Sequence, residues 1–402
     1  MTKLLNRWRD ADPAFKAFLL GVFFLGINSG IISSAFNNYL NDSFRLSSSQ
    51  RGFLEFPREL PGFLLIFITG LLAALPVRQW AVITSLLTAV GVAGLGFLSP
   101  SYNSMLVWML LWSTGGHLFM TVESVMGLRF AKEGGHGRRL GQISGMTNFA
   151  AIAGAGLVWV LAKAAGPKLY QWAFLAAALA SLVSAFLFAR MKKSGEEAAP
   201  GGKRFVFRRE YKWFYLLNIL FGARKQIFLT FAPWVLVTVY GANPALMAAL
   251  AMTAYFLGVV FRQAFGALVD AIGERKMFIA DALILLVICG GFAFSTFRPF
   301  LYALFILDNL MFATRIARTT YMNRIAVHKS DISPTVSLGV TMDHAVSMTI
   351  PAAGGLLWAA YGYKSVFIAA SLLSVAGFFA ALAVDEGRGH AAPVAPQPVV
   401  ED

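Results

Sequence analysis

The chain has 402 residues, 57% hydrophobic and only 13% charged, with a mean hydropathy of +0.65. A soluble globular chain carries about 25% charged residues, and an outer-membrane barrel shows ten-residue alternation, so both classes are excluded. The net charge of +14 does not point to nucleic acid, because the basic residues cluster in short connections between apolar runs, where they set topology and meet lipid headgroups.

Apolar runs of about 20 residues cross a hydrocarbon layer. The expected class is an all-α membrane protein with twelve transmembrane helices, over 15–40, 50–75, 80–98, 103–130, 140–163, 169–190, 213–240, 245–269, 277–296, 299–323, 335–360 and 364–384. The first resembles a signal peptide, with Lys3, Arg7 and Arg9 before an apolar stretch. It lacks a small-x-small cleavage site, and it is read as a retained span. Its polar residue Asn28 is a candidate substrate contact.

The second helix opens with Arg51, Glu55, Arg58 and Glu59, spaced so that opposite charges pair along one face. Arg51 and Glu55 sit near the outer edge and read as a solvated stripe. Arg58 and Glu59 lie deeper between Pro57 and Pro61, and serve either an outer gate or a substrate or proton site. The fourth helix offers His117 and Glu123, which face different directions. Glu123 is the first choice of coupling carboxylate, because a lone membrane carboxylate is readily protonated. Asp308, Glu59 and Asp343 follow it, and His344 beside Asp343 titrates in the useful range.

The seventh helix carries Arg224 and Lys225 near its middle, which diverge by about 100° around the helix. Arg224 is the preferred anion contact, since its planar fork suits a carboxylate or phosphate. Lys225 is expected to pair with an acid on a neighbouring helix. The tenth helix reads Asp308-Asn309, then Arg315 and Arg318. At that spacing the three charges share nearly one face, which must look into a cavity. Asn309 and Arg315 are assigned to substrate contact, with Arg262 and Arg318 to a gate.

Orientation follows from a count. With the N-terminus inside, cytoplasmic segments hold 22 Lys and Arg, outer segments six, and the helices the remaining six of 34. That asymmetry puts both termini in the cytoplasm of a multi-pass protein of the inner (plasma) membrane. The connection 191–212 divides the chain into bundles at 1–190 and 213–384, followed by a disordered tail at 385–402. The bundles repeat at one offset of 196 residues: Gly62 falls on Gly258, Met146 on Met342, and Gly166-x-Lys168 on Gly362-x-Lys364. The single cysteine, Cys289, excludes an intramolecular disulfide and a cysteine-based zinc cluster.

Between the eighth and ninth helices stands Gly266-x-Leu268-x-Asp270-x-x-Gly273-x-Arg275-Lys276. It is similar to the signature loop of the major facilitator superfamily. Glycines permit a tight turn there, and the aspartate can meet a helix N-terminus or a basic group, locking one conformation. The equivalent first-half loop departs from the pattern, with Ala74 in place of the acid and Pro76 after it. The resemblance covers roughly 15–384 and implies two six-helix bundles around a cavity that opens alternately to each side. It also implies that helices 1, 4, 7 and 10 line that cavity, and that Gly266, Asp270, Gly273 and Arg275 act in conformational gating.

Six intramembrane cations stand against four carboxylates: Glu59, Glu123, Asp308 and Asp343, with Asp281 left out as too near an edge. The surplus favours an anionic or zwitterionic solute. The expectation is a monomeric secondary transporter of a small organic anion, coupled to H⁺ with Na⁺ as the alternative ion, without cofactor or metal. The rival readings are an exporter of amphipathic compounds and a non-transporting sensor. Catalysis has no nucleophile–base pair behind it.

Overall fold

The structure, a computed structural model, describes residues 12–65, 75–131, 136–191 and 206–385. The expected first-half signature loop, most of the connection 191–212 and the tail after 385 therefore fall largely outside the described residues. Among the described residues, fourteen α-helices account for twelve spans. The first six spans are α1 (Pro13–Phe44), α2 (Ser48–Phe53) with α3 (Glu55–Phe63), α4 (Val77–Phe97), α5 (Tyr102–Arg129), α6 (His136–Ala164) and α7 (Leu169–Ala189). The last six are α8 (Lys212–Thr238), α9 (Pro244–Ile272), α10 (Glu274–Phe294), α11 (Arg298–Met311) with α12 (Arg315–Ile325), α13 (Lys329–Tyr361) and α14 (Tyr363–Leu382). Among the described residues, nine helices are long and apolar enough to cross a membrane unaided. The seventh and eleventh spans fall short, so their charge must be covered by neighbours.

Local chemistry sets the boundaries. Asp12 caps α1 by accepting from Ala14 N at 2.8 Å, with Pro13 in the first turn, where its missing N–H costs nothing. Ser47 and Gln50 form a reciprocal capping box that starts α2. The second span then breaks at Leu54, because the ring of Pro57 cannot coexist with a regular carbonyl at residue 53. The tenth span is interrupted by a 3₁₀ turn at Phe312–Thr314, where the Thr314 hydroxyl bonds back to Met311 O at 2.9 Å.

The repeat extends to whole helices. Shifted by 196 residues, 102–129 becomes 298–325, the bounds of the tenth span, and 77–97 becomes 273–293 against Glu274–Phe294. The matched turns at Gly166 (φ 51°) and Gly362 (φ 81°) both use left-handed backbone, open to glycine without a Cβ penalty. Packing follows the same division. One apolar core, with Phe18, Leu118 and Phe188, draws only on the first six spans, and another, with Phe228, Phe292 and Phe367, only on the last six.

The two sets meet along two seams, α13 against α2 and α3, and α9 against α6 and α1. At the distal end, away from the chain termini, the seam is tight. A Cβ on Gly52 would lie 2.2 Å from Pro351 O, and one on Gly355 2.5 Å from Ser48 O. Asn38 Nδ2 also donates to Ala242 O at 2.8 Å, and Trp234 of α8 enters the apolar core of the first set.

Candidate functional site

Between the two sets lies a cavity of about 440 Å³, walled by α1, α2, α3, α4, α5, α6, α8, α9 and α11. Its surface mixes amides and hydroxyls (Asn28, Ser33, Asn37, Tyr255, Asn309) with aromatic faces (Phe36, Trp112, Phe119, Phe305). Arg58, Glu55, Glu123 and Asp308 supply its charge, together with Arg51 at one edge. Ser33 and Tyr255 bond across it at 2.6 Å, tying α1 to α9. Such a lining grips a polar solute through hydrogen bonds while stacking its apolar faces.

The second span supplies a buried chain of charge. Glu55 accepts from Arg51 at 2.5 Å, from Arg58 at 2.5 Å, and from Gln226 Nε2 of α8 at 2.9 Å. Arg58 also holds Glu59 at 2.6 Å. The solvated stripe expected of Arg51 and Glu55 is thus corrected: they are 2% and 1% exposed. Their water is replaced by each other, by Gln226 and by Trp234, whose ring centroid is 6.0 Å from the Arg51 guanidinium. Glu59 passes the chain on to His344 at 2.9 Å, across the seam to α13.

In the last six spans, Arg224 pairs with Asp308 and Lys225 with Asp343, the latter at 2.7 Å to both carboxylate oxygens. Lys225 thus finds the acid on a neighbouring helix that its sequence context called for. Arg224 is 2% exposed and borders a separate cavity of about 40 Å³, shared with Asp281 and Arg318. The Arg318 guanidinium lies 3.4 Å above the Phe221 ring. Asp281, set aside in the sequence count, has a buried Oδ1 and lies within electrostatic reach of Arg224 and Arg318.

The three charges expected on one face of the tenth span separate in part: Asp308 lines the large cavity and Arg318 the small one. The 3₁₀ turn winds about three residues per turn and shifts the phase of everything after it. Arg318, after the turn, is buried, as is Asp308 before it, and Arg315 is exposed and lies within electrostatic reach of Glu123 on α5. Glu123 itself lines the cavity and, among the described residues, has no ion-pair partner.

The remaining candidates take structural partners. Asn28 donates to Ala177 O at 3.2 Å and Ser181 Oγ at 3.1 Å on α7, and also lines the cavity. Asn309 donates to Phe305 O at 2.9 Å and also lines the cavity. Gly273 turns the chain between α9 and α10 at φ 81°, and Arg275 Nη2 donates to Leu382 O at 2.9 Å. Arg262, Gly266 and Asp270 fall within α9, with their side chains outside the described residues. Gln226 and the Ser33–Tyr255 bridge were given no role from sequence, and Asp281 was set aside. Only Gln226 carried a signal, a polar amide beside two cations in an apolar run.

The family model described as the Major Facilitator Superfamily matches residues 18–330. No curated protein matches the chain. Among solved structures, the nucleoside transporter NupG is similar at a TM-score of 0.72 and 12% identity, covering 92% of this chain and 99% of that one. A bacterial homolog of the human lysosomal transporter Spinster, inward-facing and unoccupied, gives 0.68 at 14% identity, covering 92% and 96%. The E. coli fucose:proton symporter FucP gives 0.59 at 16% identity, covering 91% and 97%.

Proposed function

The chain belongs to the major facilitator superfamily, and on that premise we propose that it is a proton-coupled secondary transporter of a small polar solute. The observation that carries this reading is the cavity of about 440 Å³ between the two sets of spans, with ionisable groups from both sets. Both termini face the cytoplasm in this reading, the plasma membrane is the site of action, and the monomer is the transporting unit. The tight distal seam then closes the outer side.

Charge refines the solute. Six described cations (Arg51, Arg58, Arg224, Lys225, Arg315, Arg318) stand beside six carboxylates (Glu55, Glu59, Glu123, Asp281, Asp308, Asp343). Counting Arg262 as well, the cationic surplus expected from sequence narrows from two to one, and the cavity lining itself carries two cations, Arg51 and Arg58, against three carboxylates, Glu55, Glu123 and Asp308. A zwitterion or an uncharged polar metabolite therefore fits the cavity better than an anion. Glu123 is the coupling carboxylate, because it lines the cavity unpaired, opposite the charge of Arg315. The other acids are committed to partners at bonding distance or, for Asp281, sit away from the large cavity.

Counterflow of labelled metabolites in proteoliposomes tests the transport reading, and failure with every polar class would overturn it. With a substrate in hand, Glu123→Gln should retain counterflow but lose accumulation driven by a pH gradient. Accumulation at the parental level by that variant would overturn the coupling assignment.

A further inference from the structure

Glu59, His117 and His344 converge from α3, α5 and α13, so that one carboxylate oxygen and two imidazole nitrogens lie within 4.8 Å of one another. Oε2 of Glu59 is 2.9 Å from Nδ1 of His344 and 3.6 Å from Nε2 of His117. The two rings are 5.0 Å apart and inclined at 72°, edge to face. The donor atoms are therefore aimed at one locus instead of being separated by stacked rings.

Neighbouring groups hold this arrangement in a ligating form. His117 Nδ1 lies 2.9 Å from Ser113 O, a carbonyl that can only accept. The hydrogen of the neutral ring therefore sits on Nδ1, and the Nε2 lone pair faces Glu59. Arg58 holds the second oxygen of Glu59 at 2.6 Å, fixing the carboxylate's direction, and Glu55 at 2.5 Å offsets the charge of Arg58.

We propose that Glu59, His117 and His344 form a binding site for a divalent transition-metal ion of the Zn²⁺ type. Two imidazoles and a carboxylate suit such an ion, whereas Ca²⁺ and Mg²⁺ take oxygen ligands. Tetrahedral Zn²⁺ with bonds of about 2.0–2.2 Å sets its ligand atoms about 3.4 Å apart. The two separations to Glu59, 2.9 and 3.6 Å, straddle that value, and the third, between the two nitrogens, is at most 4.8 Å. Two ligands stand on the first set of spans and one on the second. An occupied site thus staples the sets together at this level, which, on the transporter reading, arrests the cycle.

The test uses the purified full chain in detergent, freed of metal by chelation, with Co²⁺ as spectroscopic probe and Zn²⁺ as competitor. One Co²⁺ per chain with a tetrahedral visible spectrum, displaced by Zn²⁺, is expected. His117→Gln and His344→Gln should each weaken it by more than about tenfold. If either aggregates, Gly62→Ala makes the same test, since its Cβ would lie 2.6 Å from ring atoms of both histidines. No stoichiometric spectrum, or binding unchanged in a folded variant, overturns the site. Zn²⁺ that binds but leaves counterflow untouched overturns the arrest while leaving the site intact, so the two readings fail separately.

Discussion

The guanidinium of Arg224 meets the carboxylate of Asp308, 84 positions further along the chain, with both side chains almost wholly removed from solvent. Two more polar atoms of Arg224, Nε and Nη2, are buried without a hydrogen-bond partner among the described residues. Losing one member of such a pair leaves an uncompensated charge in a medium of low dielectric, whereas losing both removes the desolvation cost as well. Asp308→Ala is therefore expected to lower stability by about 3–5 kcal/mol, and Arg224→Met with Asp308→Leu to recover most of that loss. Melting temperatures in detergent decide it, and a double variant no more stable than the single one would refute the argument.

Glu55 is the point at which the second span is tied to the seventh. Gln226→Ala removes the 2.9 Å bond from the other set of spans while leaving both arginines in place. A hydrogen bond to a charged group contributes about 1.5–3 kcal/mol, here in favour of the conformation with the distal end closed. A cysteine at Ser33, in the cavity wall, should react faster with a membrane-impermeant maleimide added from the distal side when Gln226 is Ala. Equal rates in both backgrounds would show that the bond does not hold the seam.

The spans were legible because each is a long apolar run bounded by basic or turn-forming residues, and the repeat because the matched turns keep glycine at 166 and 362. The charged residues that stood out were those in apolar context, and Arg58, Glu59, Arg224, Lys225, Asp308 and Asp343 do meet partners in the structure. The partners themselves were not legible. His344 reaches Glu59 over 285 positions and Gln226 reaches Glu55 over 171, separations at which no helical spacing speaks. Arg51 and Glu55 looked solvated because their distance from the helix end was readable and the α8 residues covering them were not. The 3₁₀ turn at 312–314 has no proline to announce it, so a regular helix put Arg318 on the side of Asp308, whereas it borders the small cavity.

Gly52 and Gly355 let α2 and α13 cross with backbones almost touching. A larger side chain cannot be absorbed there, because what it meets is backbone carbonyl and not the tip of a flexible side chain. Gly52→Leu should force the distal ends apart and shift the population toward the outward-open arrangement. Spin labels on Ser101→Cys and Phe297→Cys, one on each set of spans, should move further apart in that variant. An unchanged distance distribution would mean that the seam yields elsewhere.

At the opposite end, Asp331 secures the segment leading into α8. Its Oδ2 accepts from Arg208 Nε at 2.7 Å and from the Tyr211 hydroxyl at 2.8 Å. Burial pushes the Asp331 carboxyl up, but the Tyr211 hydrogen bond and the Arg208 charge outweigh it, and the net shift is downward. A carboxyl depressed in the fold stabilises fully above its unfolded value of about 3.9. Below that value the unfolded chain takes up the proton first, and the contribution drains away until the pH passes the folded value. Asp331→Asn should therefore be less stable than the parent at about pH 7, with the gap narrowing steadily below about pH 4. A gap in melting temperature that stays constant down to about pH 3 would show that the carboxylate's charge is not what holds the segment.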